Sequence, residues 1–144
     1  MNTVMIMVDQ QKASSLPMYG NPIVHTPNLE ELAQEGSLFR QASTSCPLCV
    51  PARVSTFTGQ YPSAHGSLNN SVLMKPGTSH LLGLLKEAGY TIGLAGKNHC
   101  FREEEMQVFD YLEEAFHYGP TSPSAGPAQK AATQYLHDCQ ALRG

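Results

Sequence analysis

The sequence predicts an α/β fold with a mostly parallel sheet, and three observations carry that prediction. Residues 3–8, TVMIMV, are a near-continuous apolar run, the pattern of a strand buried on both faces, as parallel strands are. Residues 79–96 read as a helix followed by a second such run, YTIGLAG. Between the two runs, HTPNLEELAQEG carries the punctuation of another helix. Strands alternating with helices build crossover units. Two buried strands are fewer than a layered sheet domain normally uses, so the 144 residues read as the first part of something larger.

The elements follow in order. The first run ends at Asp9, which puts Asp9 and Gln10 at the carboxyl end of its strand, where open α/β sheets bind ligands. In the next helix Thr26 is the N-cap, Pro27 the first helical residue and Gly36 the stop. Leu29, Leu32 and Ala33 give it an apolar stripe. SLFRQA then reads as a short strand over residues 38–41. The helix over residues 79–88 turns Leu81, Leu84, Leu85 and Ala88 inward and ends at Gly89. The second buried strand ends at Gly96, so Lys97 and His99 follow a strand terminus as Asp9 does. In a parallel sheet these three residues would share one edge. From Arg102 the chain turns acidic, and REEEMQVFDYLEEAF is helical in part. A Gly/Pro/Ser loop, YGPTSPSAGPA, follows. The last stretch reads as a helix with Ala132, Tyr135, Leu136 and Cys139 on one face. The organisation is thus a βαβ region over residues 1–100 and a loop and helix over 101–144.

Composition narrows the function classes. The chain is 41% hydrophobic and 15% charged, which suits one globular core. A formal net charge of −3, with no basic run, offers nothing to nucleic acid. No run approaches the roughly 18 apolar residues of a membrane span. The early VMIMV stretch lacks a basic flank, so the expectation is a cytoplasmic protein without a signal peptide. Its four cysteines, Cys46, Cys49, Cys100 and Cys139, are then expected as thiols.

The chemistry lies in CPLCVPARVSTFTG, residues 46–59. A zinc site would use Cys46 and Cys49, but no second CxxC or HxxxH follows. A redox pair would leave Pro51 and Arg53 unexplained. Counted from Cys49, the stretch reads C-V-P-A-R-V-S-T-F-T-G. It resembles the type I sulfatase signature, in which C-x-P-S/A-R is followed by Thr-Gly. VMIMVDQ resembles that family's metal-binding opening, TPNLEELAQEG its first helix, GQYPSAHG the turn after its nucleophile helix, and GYTIGLAGKNH its Gly-Lys-x-His segment. Four segments in order cover residues 1 to about 100.

The resemblance implies an alkaline-phosphatase-like three-layer fold, represented by the N-terminal part of its catalytic domain. It implies that Cys49 is oxidised to formylglycine (3-oxoalanine) by a maturation enzyme that recognises Cys49, Pro51 and Arg53. The hydrated aldehyde then attacks the sulfur of a small-molecule sulfate ester, and its second hydroxyl drives release of sulfate. Asp9, Gln10 and the converted Cys49 would hold a divalent cation, Ca²⁺ first, with Mg²⁺ or Mn²⁺ as alternatives. Arg53, one turn past Cys49, would offset negative charge at the hydrate. Lys97 would hold a sulfate oxygen, and His99 would bond the hydrate or act as its base. Cys46 is incidental, and His65 is a turn residue. Gln10 stands where many members carry a second Asp, a pattern resembling choline-sulfatase-like enzymes and phosphonate or phosphodiester hydrolases. Those hydrolases, and a non-catalytic fragment that keeps the motif, are the alternatives.

Overall fold

The computed structural model describes residues 2–114. The chain divides into two compact units, Thr3–Thr44 and Ser45–Gly144, the latter with Met1–Asn2.

In the first unit, helix α1 spans Pro27–Glu35, with Thr26 at its N-cap and Gly36 at its end, as the sequence predicts. The Thr26 hydroxyl makes no capping bond. Instead the Glu30 carboxylate, in the first turn, accepts the Thr26 backbone N–H at 3.2 Å. The predicted stripe is not buried, since Leu29 and Leu32 are exposed. Two short 3-10 turns, Ala13–Ser15 and Pro17–Tyr19, precede α1. The Tyr19 hydroxyl donates to the Phe39 carbonyl at 3.0 Å, and Asn21 Oδ1 accepts the N–H groups of Ile23 and Val24.

Neither predicted strand of this unit forms. Residues 3–8 carry no strand, and Val4, Met5, Ile6 and Val8 are between 53% and 78% exposed. Residues 38–41 are likewise irregular, with Phe39 exposed. The physical reason is pairing. An apolar run becomes a strand only when a neighbour takes its backbone N–H and C=O groups, and the described residues of this unit hold no strand to do so.

The second unit contains α2 (Cys49–Thr58), α3 (Pro62–His65), α4 (Leu81–Glu87), β1 (Gly93–Gly96) and β2 (Tyr111–Glu114). Its core is Val50, Val54, Met74, Cys100 and Phe101, with Phe57, Leu73, Leu82, Met106 and Phe109 packed against them. Val50, Val54 and Phe57 recur at helical spacing, so one face of α2 supplies a third of this cluster. Phe101 is its hub, with ring centroids 5.1 Å from Phe57, 5.1 Å from His80 and 5.5 Å from Phe109.

Helix α4 begins at an N-cap predicted from neither composition nor pattern. His80 Nδ1 accepts the Gly83 N–H at 3.2 Å, and burial lowers its pKa, partly offset by Glu105. Leu81 and Leu84, expected inward, are exposed. The inward face carries Leu82 and the half-buried Leu85 instead. The His80 ring lies against Phe101, its centroid 5.1 Å away, and as the N-cap it ties the rotation of the helix to that contact.

Strand β1 ends at Gly96 as predicted, but is four residues long. It pairs in parallel with β2, Gly93 opposite Tyr111 and Gly96 opposite Glu114. The acidic segment between them is partly helical as expected, a 3-10 helix over Glu103–Val108, while β2 is an addition that the sequence pattern does not signal. Asp110 stitches the unit together: its carboxylate accepts the Ile92 N–H at 2.8 Å and pairs with Lys86 of α4. The predicted last helix, its preceding loop and Cys139 lie outside the described residues. Among the described residues, no helix is long and apolar enough to cross a membrane.

Candidate active site

Helix α2 decides where the motif's side chains go. Pro51 lacks an N–H and sits in the first turn, where none is needed. Thr58 donates its hydroxyl to the Val54 carbonyl at 2.7 Å. Gly59 then takes a left-handed conformation, φ 68°, and closes the helix on the Ser55 carbonyl. The Thr-Gly of the motif is therefore the helix stop.

Cys49 is the first residue of α2 and is half-buried. A group at this position feels the positive end of the helix dipole. The N-cap residue, Leu48, has no side-chain acceptor to offer. The Val50 N–H goes instead to Asn70 Oδ1, at 3.1 Å and twenty residues along the chain.

Arg53 follows one turn later and is only 8% exposed. Its Nη1 donates to the Lys97 carbonyl at 3.1 Å. That bond ties α2 to the segment leaving β1, which carries Lys97 and His99. Asn98 shapes this segment: its Oδ1 accepts the N–H groups of Cys100 and Phe101 at 3.2 and 2.9 Å, and its Nδ2 donates to the Phe101 carbonyl at 3.0 Å. The resulting turn puts His99 at φ 56°. The other non-glycine residue with positive φ among those described is Gln10, at 55°. Both are residues singled out from the sequence, and left-handed backbone at ordinary residues concentrates at functional sites.

Cys49, Arg53, Lys97 and His99 thus belong to one unit, with Arg53 bonded to the backbone of Lys97. Asp9 and Gln10 belong to the Thr3–Thr44 unit. Among the described residues, no three His, Cys, Asp or Glu side chains gather as a metal site. Cys46 and Cys49 are not joined by a disulfide. Cys100 is buried, and that burial pushes its thiol up to about 12, against the opposing pull of the Arg53 charge. It stays protonated and inert at neutral pH.

His65 is more than a turn residue. It is 4% exposed, its Nδ1 accepts the Ser67 N–H at 3.1 Å and its Nε2 lies 3.0 Å from Ser55 Oγ. Because Nδ1 accepts, Nε2 carries the proton and donates to Ser55. A neutral imidazole arranged this way cannot deprotonate Ser55, so the pair is a clasp between α3 and α2. Burial lowers the His65 pKa, and the nearby Lys75 charge lowers it further. Neither His65 nor Asn70 carries a sequence signal, because each works through a partner ten or twenty residues away.

A family model described as Sulfatase matches residues 1–136. The chain belongs to the sulfatase family. Its α/β class, with helices around a parallel pair of strands, agrees with that membership. It is 35% identical over 106 residues to an ulvan-active sulfatase of Formosa agariphila, covering 74% of this chain and 21% of the relative. It is 31% identical over 145 residues to the N-acetylgalactosamine-6-sulfatase of Rattus norvegicus, covering 88% and 28%. It is 34% identical over 109 residues to the choline-sulfatase of Rhizobium meliloti, covering 76% and 21%. The matches therefore span between 21% and 28% of these relatives' lengths.

Proposed function

We propose that this chain carries the nucleophile-bearing part of a hydrolase that cleaves sulfate monoesters, with Cys49 as the precursor of the nucleophile. The observation that carries the reading is the placement of C-V-P-A-R. Cys49 opens a helix, and Arg53 one turn later is buried and bonded to the Lys97 carbonyl. A maturation enzyme needs access to the cysteine, and the half-buried Cys49 thiol is compatible with that. Conversion to formylglycine supplies a hydrated aldehyde as the attacking oxygen.

The remaining roles fall to Arg53, Lys97, His99, Asp9 and Gln10. The Arg53 guanidinium stays charged and offsets negative charge beside residue 49. Lys97 offers a cation to an ester oxygen, and the His99 imidazole holds or accepts a proton at the reacting hydroxyl. Asp9 and Gln10 present hard oxygen donors of the kind a divalent cation takes, although two residues are short of the roughly six to eight oxygens that Ca²⁺ prefers. Such a cation, when bound, polarises the ester and favours the ionised nucleophile.

A second reading, phosphonate or phosphodiester hydrolysis through the same nucleophile, is favoured by Gln10. A neutral carboxamide in place of a second carboxylate lowers the charge of the donor set. The test is to assay the full-length, matured protein on 4-nitrophenyl sulfate and on an aryl phosphodiester side by side. Preference for the sulfate supports the first reading, preference for the diester supports the second, and turnover of neither refutes both.

A further inference from the structure

We infer that Asn70 is a positioning residue for the nucleophile, acting as the N-cap that α2 does not supply for itself. The inference rests on the hydrolase reading above and extends it to a residue outside the motif.

The first turn of α2 has an unusual set of donors. Pro51 has no N–H, and the Ala52 N–H makes the first intrahelical bond, to the Leu48 carbonyl at 2.9 Å. In an ordinary helix the N-cap side chain would take the N–H of the second or third residue. Here the N-cap is Leu48, which cannot. Asn70 Oδ1 takes the Val50 N–H at 3.1 Å instead. Only the carboxamide oxygen can accept, so its orientation is fixed. Val50 itself is fully buried in the core, so the Asn70 bond and the core hold this residue from two sides. Cys49 is the residue immediately before it.

The loop that presents Asn70 is anchored at both ends. On one side the Ser67 N–H donates to His65, which is clasped to Ser55 of α2. On the other, the Met74 N–H donates to the Cys100 carbonyl at 3.2 Å and Arg102 Nε donates to the Met74 carbonyl at 2.8 Å. Ser67 Oγ bridges the loop's two ends at the Leu73 carbonyl, 3.3 Å away. Inside it, Asn69 Oδ1 accepts the Ser71 N–H at 2.9 Å. The loop therefore connects the start of α2 to the chain just beyond His99. An anchored acceptor against the backbone next to the nucleophile sets where residue 49 points, and reactions of this kind are sensitive to displacements of about 1 Å.

The test compares wild type, Asn70→Ala and Asn70→Asp in the full-length, matured protein. Two quantities are read: hydrogen exchange at the Val50 amide, and kcat and KM on 4-nitrophenyl sulfate. Asn70→Ala should speed Val50 exchange by roughly tenfold, the size expected for losing one hydrogen bond. It should lower kcat by about tenfold or more with KM little changed. Asn70→Asp keeps an acceptor oxygen and should restore both readouts to within about threefold of wild type. Unchanged Val50 exchange in Asn70→Ala overturns the inference whatever the activity. Faster exchange with unchanged kcat overturns the positioning role, and a rise confined to KM assigns Asn70 to substrate binding instead. Failure of Asn70→Asp to recover kcat while it recovers exchange also counts against positioning. A wild type that protects Val50 yet turns over no ester refutes the hydrolase reading, and the positioning role with it.

Discussion

Replacing Arg53 separates its structural part from its chemical one. The side chain is 8% exposed and donates Nη1 to the Lys97 carbonyl at 3.1 Å. A hydrogen bond from a charged donor contributes about 1.5–3 kcal/mol. Lys97 is half-buried, so water replaces part of that bond, and the lower end of the range applies. Arg53→Met, which preserves much of the packing, should therefore cost about 1.5–2 kcal/mol. For a chain of this size each kcal/mol moves the melting temperature by roughly 2–4 °C, so the variant should melt roughly 3–8 °C lower. Arg53→Lys keeps the charge but replaces a planar fork with a point donor. It should recover most of the stability while turnover stays down on the order of 100-fold, because the tie between α2 and the Lys97–His99 segment is loosened. Thermal melts and steady-state kinetics on the same preparations make the comparison. An Arg53→Met variant that melts like wild type would show that the bond to Lys97 contributes nothing. An Arg53→Lys variant with full turnover would show that the guanidinium geometry does not order the site.

Three further outcomes follow from particular groups. Phe101→Ala removes the ring on which Phe57, His80 and Phe109 converge, and should cost about 3–5 kcal/mol in urea unfolding, much of the stability of a small domain. The lowered His65 pKa means that the fold favours neutral imidazole. Its contribution is complete above the ordinary value of 6.5 and is lost as pH falls from there toward the lowered value. Melts between pH 8 and 5 should therefore show stability falling with acid, and His65→Gln should flatten the curve in part, since His80 shares the same shift; an identical slope in the variant would remove His65 from the explanation. Calorimetric titration of the 144-residue chain with Ca²⁺, Mg²⁺ and Mn²⁺ should show no micromolar site, because Asp9 and Gln10 supply too few oxygens.

Much of the candidate site was legible because its signals are local. Pro27 after Thr26 and Gly36 after Glu35 are punctuation that acts within one helical turn, and α1 runs between them as the sequence predicts. The strand end at Gly96 was legible for the same reason. What failed depends on partners. Residues 3–8 have the composition of a buried strand, but composition cannot supply the neighbour that a ladder requires. Strand β2 was missed for the converse reason: YLEE has no apolar run, and it forms because β1 offers it a parallel register. The rotation of α4 was misread because Leu81, Leu82, Leu84 and Leu85 make nearly every face apolar, and the His80–Phe101 contact decides among them. Asn70 and His65 act across ten to twenty residues, and no spacing rule announces such a pair.

The most direct test of the central claim is the mass of residue 49 itself. Trypsin releases residues 41–53 as one peptide, ending at Arg53 and containing both Cys46 and Cys49. After co-expression with a formylglycine-generating enzyme, this peptide should be lighter by about 18 Da, through loss of one sulfur and two hydrogens and gain of one oxygen, as expected for a nucleophile activated this way. Fragmentation should place the change at residue 49 with Cys46 intact. A peptide that keeps both thiols, or one in which Cys46 is converted instead, would contradict the assignment of Cys49 as the nucleophile precursor.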